Sequence, residues 1–219
     1  MRHWFNQLDI QNVDRDCCPD QISWLIILSL LFITVACHDR PDASKDDLTR
    51  HYFDETGHTV RGEFLQFFTR YGGVESLGYP LTEETQVDGW RVQYFEKGRL
   101  EYHPENEPEY RITVGWLGDL LHRRHPPIPA PHIPRADKID SRYYAQTGHT
   151  ISGDFLEYFD KHGGSVRFGL PISEPFIWDG KLAQDFQSAR FFWTPNTAER
   201  VTLENIGRLY FERIQKAKK

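Results

Sequence analysis

Trp90, Tyr94, Trp116, Trp178 and Trp193 are side chains of the type that stacks on sugar faces, because each ring is an apolar platform with a polar tip. Trp90 and Trp178 stand beside Asp-Gly pairs at 88–89 and 179–180. A turn there would expose them, so they lead as glycan contacts, with Tyr94 as a further candidate. His58 and His149 fill the same place in a pattern that recurs 91 positions later. Each offers either a ligand-binding imidazole or, as the preferred reading, a turn histidine whose ring nitrogens satisfy backbone groups. Glu83 and Arg99 recur as Glu174 and Arg190, which predicts an ion pair tying a turn to a hairpin. Glycosidase chemistry needs two carboxylates about 5 to 10 Å apart with separated pKa values. Glu101 and His103 near Glu83 suggest such a set, but Phe192 and Thr194 replace them in the second copy. His122, His125 and His132 lie in or beside a proline run that holds them apart, so no metal site is expected. No Gly-x-Ser-x-Gly, His-Glu-x-x-His or P-loop pattern occurs, and no cofactor is expected.

These residues sit in an internal repeat. Tyr52 to Pro104 matches Tyr143 to Pro195 without a gap, with 20 identities over 53 positions. Beyond this, PENEPEYRIT becomes PNTAERVT, a loss of two residues between strand-like runs, which a hairpin tip tolerates. The copies are joined by a stretch with five Pro in nine residues, 126–134, which predicts an extended, semi-rigid spacer.

The elements that must position the candidates follow from local pattern. Thr56 to Thr59 predicts a turn with Thr59 as a helix cap. Phe64, Leu65 and Phe68 predict an amphipathic helix ended by Gly72-Gly73. The runs Arg91–Phe95 and Arg99–Tyr102 alternate as a β-hairpin. On its first strand, Gln93 and Phe95 recur as Gln184 and Phe186, one face toward the core, so Gln93 is expected to be a buried, bonded amide. The opposite face differs between copies, with Val92 and Tyr94 against Ala183 and Asp185. A short helix closes each unit, at Gly115–His122 and Leu203–Ile214. The expected fold is α+β: two homologous small modules, each a helix, a β-hairpin and a short closing helix, joined by a Pro-rich linker.

The order Gly57-His58-Thr59-Val60-x-Gly62, Gly72-Gly73, Leu77-Gly78-Tyr79-Pro80 and Phe95 through Pro104 resembles the LGFP repeat, and Gly148 through Pro195 follows it. The resemblance covers most of residues 52–113 and 143–202. It implies association with the bacterial envelope and a cell-wall anchoring or binding role. It supplies no catalytic residues.

Ahead of the repeats, Ile22 to Ala36 is an uncharged apolar run of 15 residues. A spanning helix needs about 20, and the length suits a secretory signal. The run ends in Thr34-Val35-Ala36-Cys37 before a polar stretch. This resembles a bacterial lipoprotein signal, which implies cleavage before Cys37, lipidation of that cysteine and an extracytoplasmic, membrane-anchored protein. An uncleaved signal anchor is the alternative. Cys17, Cys18 and Cys37 are the three cysteines, so a mature chain beginning at Cys37 has no free thiol and no disulfide. The net charge of −6 argues against nucleic acid as a partner, and a mean hydropathy of −0.61 argues against a polytopic membrane protein.

The expected organisation is a signal peptide at 1–36, a lipidated tether at 37–47, unit one at 48–123, the linker at 124–138, unit two at 139–215 and a basic tail at 216–219. The expected function is a non-enzymatic envelope lipoprotein whose modules bind cell-wall glycan or a partner protein. The alternative is a small extracytoplasmic hydrolase, or an enzyme accessory, with a site between the units.

Overall fold

The computed structural model describes residues 49–135 and 138–218, all within one unit that runs from Pro41 to Lys219. The signal, Cys37 and the whole tether lie outside the described residues. What is described is an α+β arrangement of small sheets and short helices.

Residues 50–114 form the first half. Strands β1 (Arg50–Phe53) and β2 (His58–Arg61) pair as an antiparallel hairpin, and helices α1 (Gly62–Arg70) and α2 (Gly73–Leu77) follow. Strands β3 (Thr85–Val87), β4 (Trp90–Phe95), β5 (Gly98–Tyr102) and β6 (Ile112–Val114) then form a four-stranded antiparallel meander. The predicted hairpin is therefore the centre of a wider sheet. Thr59 is not a helix cap: it lies in β2 opposite Tyr52. Its neighbour Val60 is wholly buried, and that burial favours the strand. Helix α1 instead begins after Arg61, without a side-chain cap.

The same order recurs at residues 141–203. It comprises β7 (Ser141–Tyr144), β8 (His149–Ser152), α4 (Gly153–Lys161), α5 (Gly164–Phe168), β9 (Phe176–Trp178), β10 (Lys181–Asp185), β11 (Arg190–Trp193) and β12 (Val201–Leu203). Two helices come between and after: α3 (Leu117–Leu120) and α6 (Ile206–Ala217). The first lies within the expected Gly115–His122, and the second is shifted from the expected Leu203–Ile214. Leu203 belongs to β12, and Lys216, expected in a tail, is helical.

Each half buries its own core, at matching positions. Val60, Phe64, Phe68, Leu77, Phe95 and Leu100 fill the first; Ile151, Phe155, Phe159, Phe168, Phe186 and Phe191 fill the second. Gln93 and Gln184 lie under these cores as expected. Gln93 Nε2 donates to the carbonyls of Thr59 and Thr82 at 2.9 and 2.8 Å. Gln184 Nε2 donates to those of Thr150 and Ser173 at 2.6 and 2.9 Å. Each amide thus pins the β1–β2 or β7–β8 hairpin to the loop ahead of the meander.

The closing helices cross over. The second residue of α3, Gly118, sits on the second half: its N–H donates to the Gln187 carbonyl at 2.7 Å. The second residue of α6, Gly207, sits on the β4–β5 turn of the first half, where the next N–H, of Arg208, donates to the Glu96 carbonyl at 2.9 Å. Leu117 and Ile206, just ahead, are wholly buried. The approach requires glycine. A Cβ on Gly118 would lie 2.2 Å from the Phe186 oxygen, and one on Gly207 would lie 2.0 Å from the Phe95 oxygen. Arg208 also bonds Glu96 Oε1 at 2.7 Å. Burial pushes the Glu96 carboxyl up, but Arg208 and the Tyr79 N–H outweigh it and hold the group below its usual range.

On the seam, residues 91 apart meet. Arg167 is wholly buried, with Nε donating to Ser76 Oγ at 2.9 Å and Nη2 to the Ser76 and Lys97 carbonyls at 2.6 and 3.3 Å. Burial lowers its pKa to about 10. Ser188 Oγ donates to the Val114 carbonyl at 3.2 Å.

The proline run is docked rather than free. His125 N–H donates to the Ile172 carbonyl at 2.8 Å, and Ile128 N–H to that of Gly148 at 3.0 Å. The start of the spacer is therefore tied to the second half, while His132 and Ile133 donate within the run itself, to the Pro129 and Ala130 carbonyls.

Gly207→Ala should force α6 off the β4–β5 turn and destabilise the protein by about 1–3 kcal/mol, the range for overpacking. Gly89→Ala, beside open space but at positive φ, should leave α6 seated. Chemical denaturation of the full chain checks the first, and an unchanged midpoint would show that the seat is not tight.

Candidate functional site

The Asp-Gly turns position the two tryptophans. Asp88 and Gly89 have φ of 52° and 89°, and Asp179 and Gly180 have 48° and 74°. Positive φ at both central residues matches a two-residue turn to the strand twist. Trp90 follows the first turn and pairs with Val87; Trp178 precedes the second and pairs with Lys181. The halves therefore carry their tryptophans on opposite strands at the base of the same turn. Both remain open to solvent, at 40% and 50% exposure. Trp90 packs beside the His103 ring at 4.3 Å. Trp178 lies 4.4 Å from the Arg190 guanidinium, within cation–π reach.

Tyr94 is corrected: it is 2% exposed. Its ring packs on Phe211 and Tyr210 of α6, at 5.1 and 6.5 Å. The sheet face that carries it is covered by the crossing helix, which the local pattern of one unit does not reveal. His149 is likewise withdrawn as a ligand contact. It is wholly buried, with Nδ1 3.3 Å from Glu174 Oε1 and Nε2 3.1 Å from the His125 carbonyl. That is the turn-histidine reading. His58 is partly exposed, with Nδ1 3.5 Å from Glu83 Oε1. Trp116 is exposed, and Trp193 donates its indole N–H to Asp154 at 2.7 Å.

The expected Glu83–Arg99 and Glu174–Arg190 pairs do not form. Glu83 accepts the Thr59 N–H at 2.9 Å, and Glu174 the Thr150 N–H at 2.8 Å together with the Thr150 hydroxyl. Both carboxylates thus bind the β1–β2 or β7–β8 hairpin, on the Gln93 and Gln184 side. Arg99 pairs with Tyr94 across β4 and β5, so it faces the other way. There it binds Glu101, with Tyr94 Oη at 3.5 Å, and Glu101 Oε2 lies 3.2 Å from His103 Nε2. Arg190 forks onto both oxygens of Asp185 at 2.6 and 2.9 Å, with Glu204 3.7 Å away. Arg123, just beyond α3, joins this cluster through Glu204. The Glu101–His103 combination is therefore occupied by an arginine and is absent from the second half, so it offers no free acid–base pair.

A groove of about 800 Å³ lies along the seam. Gly72, Glu75, Ser76 and Lys97 line it from the first half. From the second come α4 residues Asp154, Glu157, Tyr158 and Lys161, then His162, and the β11–β12 connection from Ala198 to Val201. Burial pushes Lys97 down and Tyr158 up, and burial with the neighbouring Lys161 lowers His162. The local pattern of either copy does not reveal this site, because its walls come from both. The available signal was substitution: Glu75 and Lys97 stand where the second copy has Val166 and Ser188, and Glu157 and His162 where the first has Gln66 and Tyr71.

No group of three or more metal-ligating side chains occurs among the described residues, and no described helix is long and apolar enough to cross a membrane. Compared with family models and with curated proteins, the chain matches none.

Asp185→Ala should leave Arg190 buried without its carboxylate and cost about 3–5 kcal/mol. Asp160→Ala, which breaks the exposed pair with Arg142, should cost about 0–1 kcal/mol. Denaturant midpoints compare the two, and equal losses would contradict the assigned burial.

Proposed function

We propose that this chain is a non-enzymatic, lipid-anchored protein of the bacterial envelope, built from two homologous LGFP-like modules that bind cell-wall glycan. The observation that carries the reading is the pair of exposed tryptophans, Trp90 and Trp178, one at the base of each Asp-Gly turn. An indole ring left half in water retains an apolar face for a sugar ring. Trp178 is also held by the buried Arg190 beneath it, so it loses little conformational freedom on binding. The duplication places one such platform in each half, and two weak contacts on one polymer reinforce each other when both can engage. A partner protein of the envelope is the remaining class of ligand.

The anchor in this reading is Cys37. Diacylation holds a soluble domain at a membrane where a single chain would not.

Purified peptidoglycan should retain the wild-type protein in a pull-down. Trp90→Ala and Trp178→Ala should each weaken retention, and the double variant should lose it. Failure of wild type to bind would overturn the glycan reading. Mass analysis of the membrane fraction should find acyl groups on Cys37 as the first residue. An intact Met1 there would overturn the anchor.

A further inference from the structure

We infer that the seam groove is a binding site for a short peptide carrying both an amine and a carboxylate, the chemistry of a cell-wall stem peptide. The identification of the peptide rests on the cell-wall reading above; the site itself rests on the following geometry.

The groove's volume of about 800 Å³ falls in the range of about 300–1,000 Å³ usual for small-ligand sites. Within its lining Arg200 pairs with Asp154 at 3.2 Å, while other charged side chains there have no partner. Outside it, arginines pair with acids: Arg142 with Asp160, Arg124 with Asp119, Arg208 with Glu96 and Arg190 with Asp185. In the groove, the side chains of Glu75, Glu157, Glu199 and Lys161 make no hydrogen bond or ion pair among the described residues. The half-buried Lys97 donates only to the Glu75 carbonyl, at 2.7 Å. Unpaired charges of both signs therefore line one concave surface.

Behind the lining, and not part of it, lies a further positive group. Arg167 is wholly buried behind Ser76 and Lys97, and all its hydrogen bonds go to neutral oxygens. Its Nη1 has no partner. A buried cation without an anion is costly. Lys97 and Lys161, the lining lysines without an acidic partner, favour a carboxylate. Glu157 and Glu199 on the second-half wall provide for an ammonium group.

Duplication makes a comparison possible within one chain. At the matching positions, Glu75, Lys97, Glu157 and His162 correspond to Val166, Ser188, Gln66 and Tyr71. Glu75, Lys97 and Glu157 thus have no charged counterpart, whereas Lys161 corresponds to Arg70 and Asp154 to Glu63.

The test titrates the full chain with the synthetic peptide L-Ala–γ-D-Glu–L-Lys–D-Ala by calorimetry at low ionic strength. Saturable binding is expected. Glu199→Gln and Lys161→Ala should each weaken it about tenfold or more, as loss of a charge-assisted contact does. Both side chains are exposed, so the fold should survive, which a denaturation midpoint verifies. Acetylating the peptide's amines, or amidating its carboxylates, should weaken binding to a similar degree, and the acetylated peptide should no longer sense Glu199→Gln. No binding of the peptide, or binding indifferent to both variants and to capping, would overturn the proposal. Peptidoglycan retention that persists without peptide binding would sink this site alone and leave the tryptophan-based reading standing. Loss of both would sink the two together.

Discussion

Two glycines hold the architecture together. Gly118 and Gly207 are each the second residue of a closing helix, and each lies on a backbone turn of the opposite half. The contact is as close as a missing side chain permits. It buries Leu117 and Ile206 beside it and aligns α6 over the sheet face that carries Tyr94. Each half therefore fills its own core, while the outer face of its sheet is covered by chain from the other. A half taken alone would expose the Tyr94 face, or the Asp185–Arg190 cluster that Arg123 and Glu204 complete. The crossing makes the seam an integral part of the fold, and the groove exists because the seam does.

The crossing also explains where the two copies are free to differ. Positions inside each core are kept in kind: Phe64 with Phe155, Phe68 with Phe159, Phe95 with Phe186. Where volume changes, partners adjust, as Leu77 and Leu100 become Phe168 and Phe191. At the seam the change is of chemistry: Ser76 meets its own counterpart, Arg167. A serine–arginine contact closes where two copies of either residue would repel or leave a void. The junction is therefore not symmetric at this point, since the serine comes from one half and the arginine from the other.

Much of the fold could be read from the residues. The 91-residue offset, the amphipathic helices, the central hairpins, the Asp-Gly turns and the buried Gln93 all follow from local pattern, because each depends on neighbours within one copy. The tryptophans were legible for the same reason, since a turn base is a local feature. The failures share a different cause. Tyr94 is a poor ligand contact because Tyr210 and Phe211 cover it, and they lie more than a hundred positions away. The Glu83–Arg99 pair failed because strand alternation puts the two on opposite sides of the sheet. The proline run has the composition of a spacer, which does not show that His125 and Ile128 at its start bond the second half. The groove was invisible because neither copy contains it. What a repeat leaves unsaid is which copy covers which, and in this chain that choice determines the candidate sites.

The central claim is that the two halves are one cooperative body, locked by exchanged helices. Methyl-resolved NMR through a urea titration of the full chain tests it most directly, with Leu100 reporting the first core and Ile151 the second. Coincident loss of both native signals at a single midpoint is predicted, as for a two-state unit. Two separate midpoints, with one core intact while the other unfolds, would contradict the account.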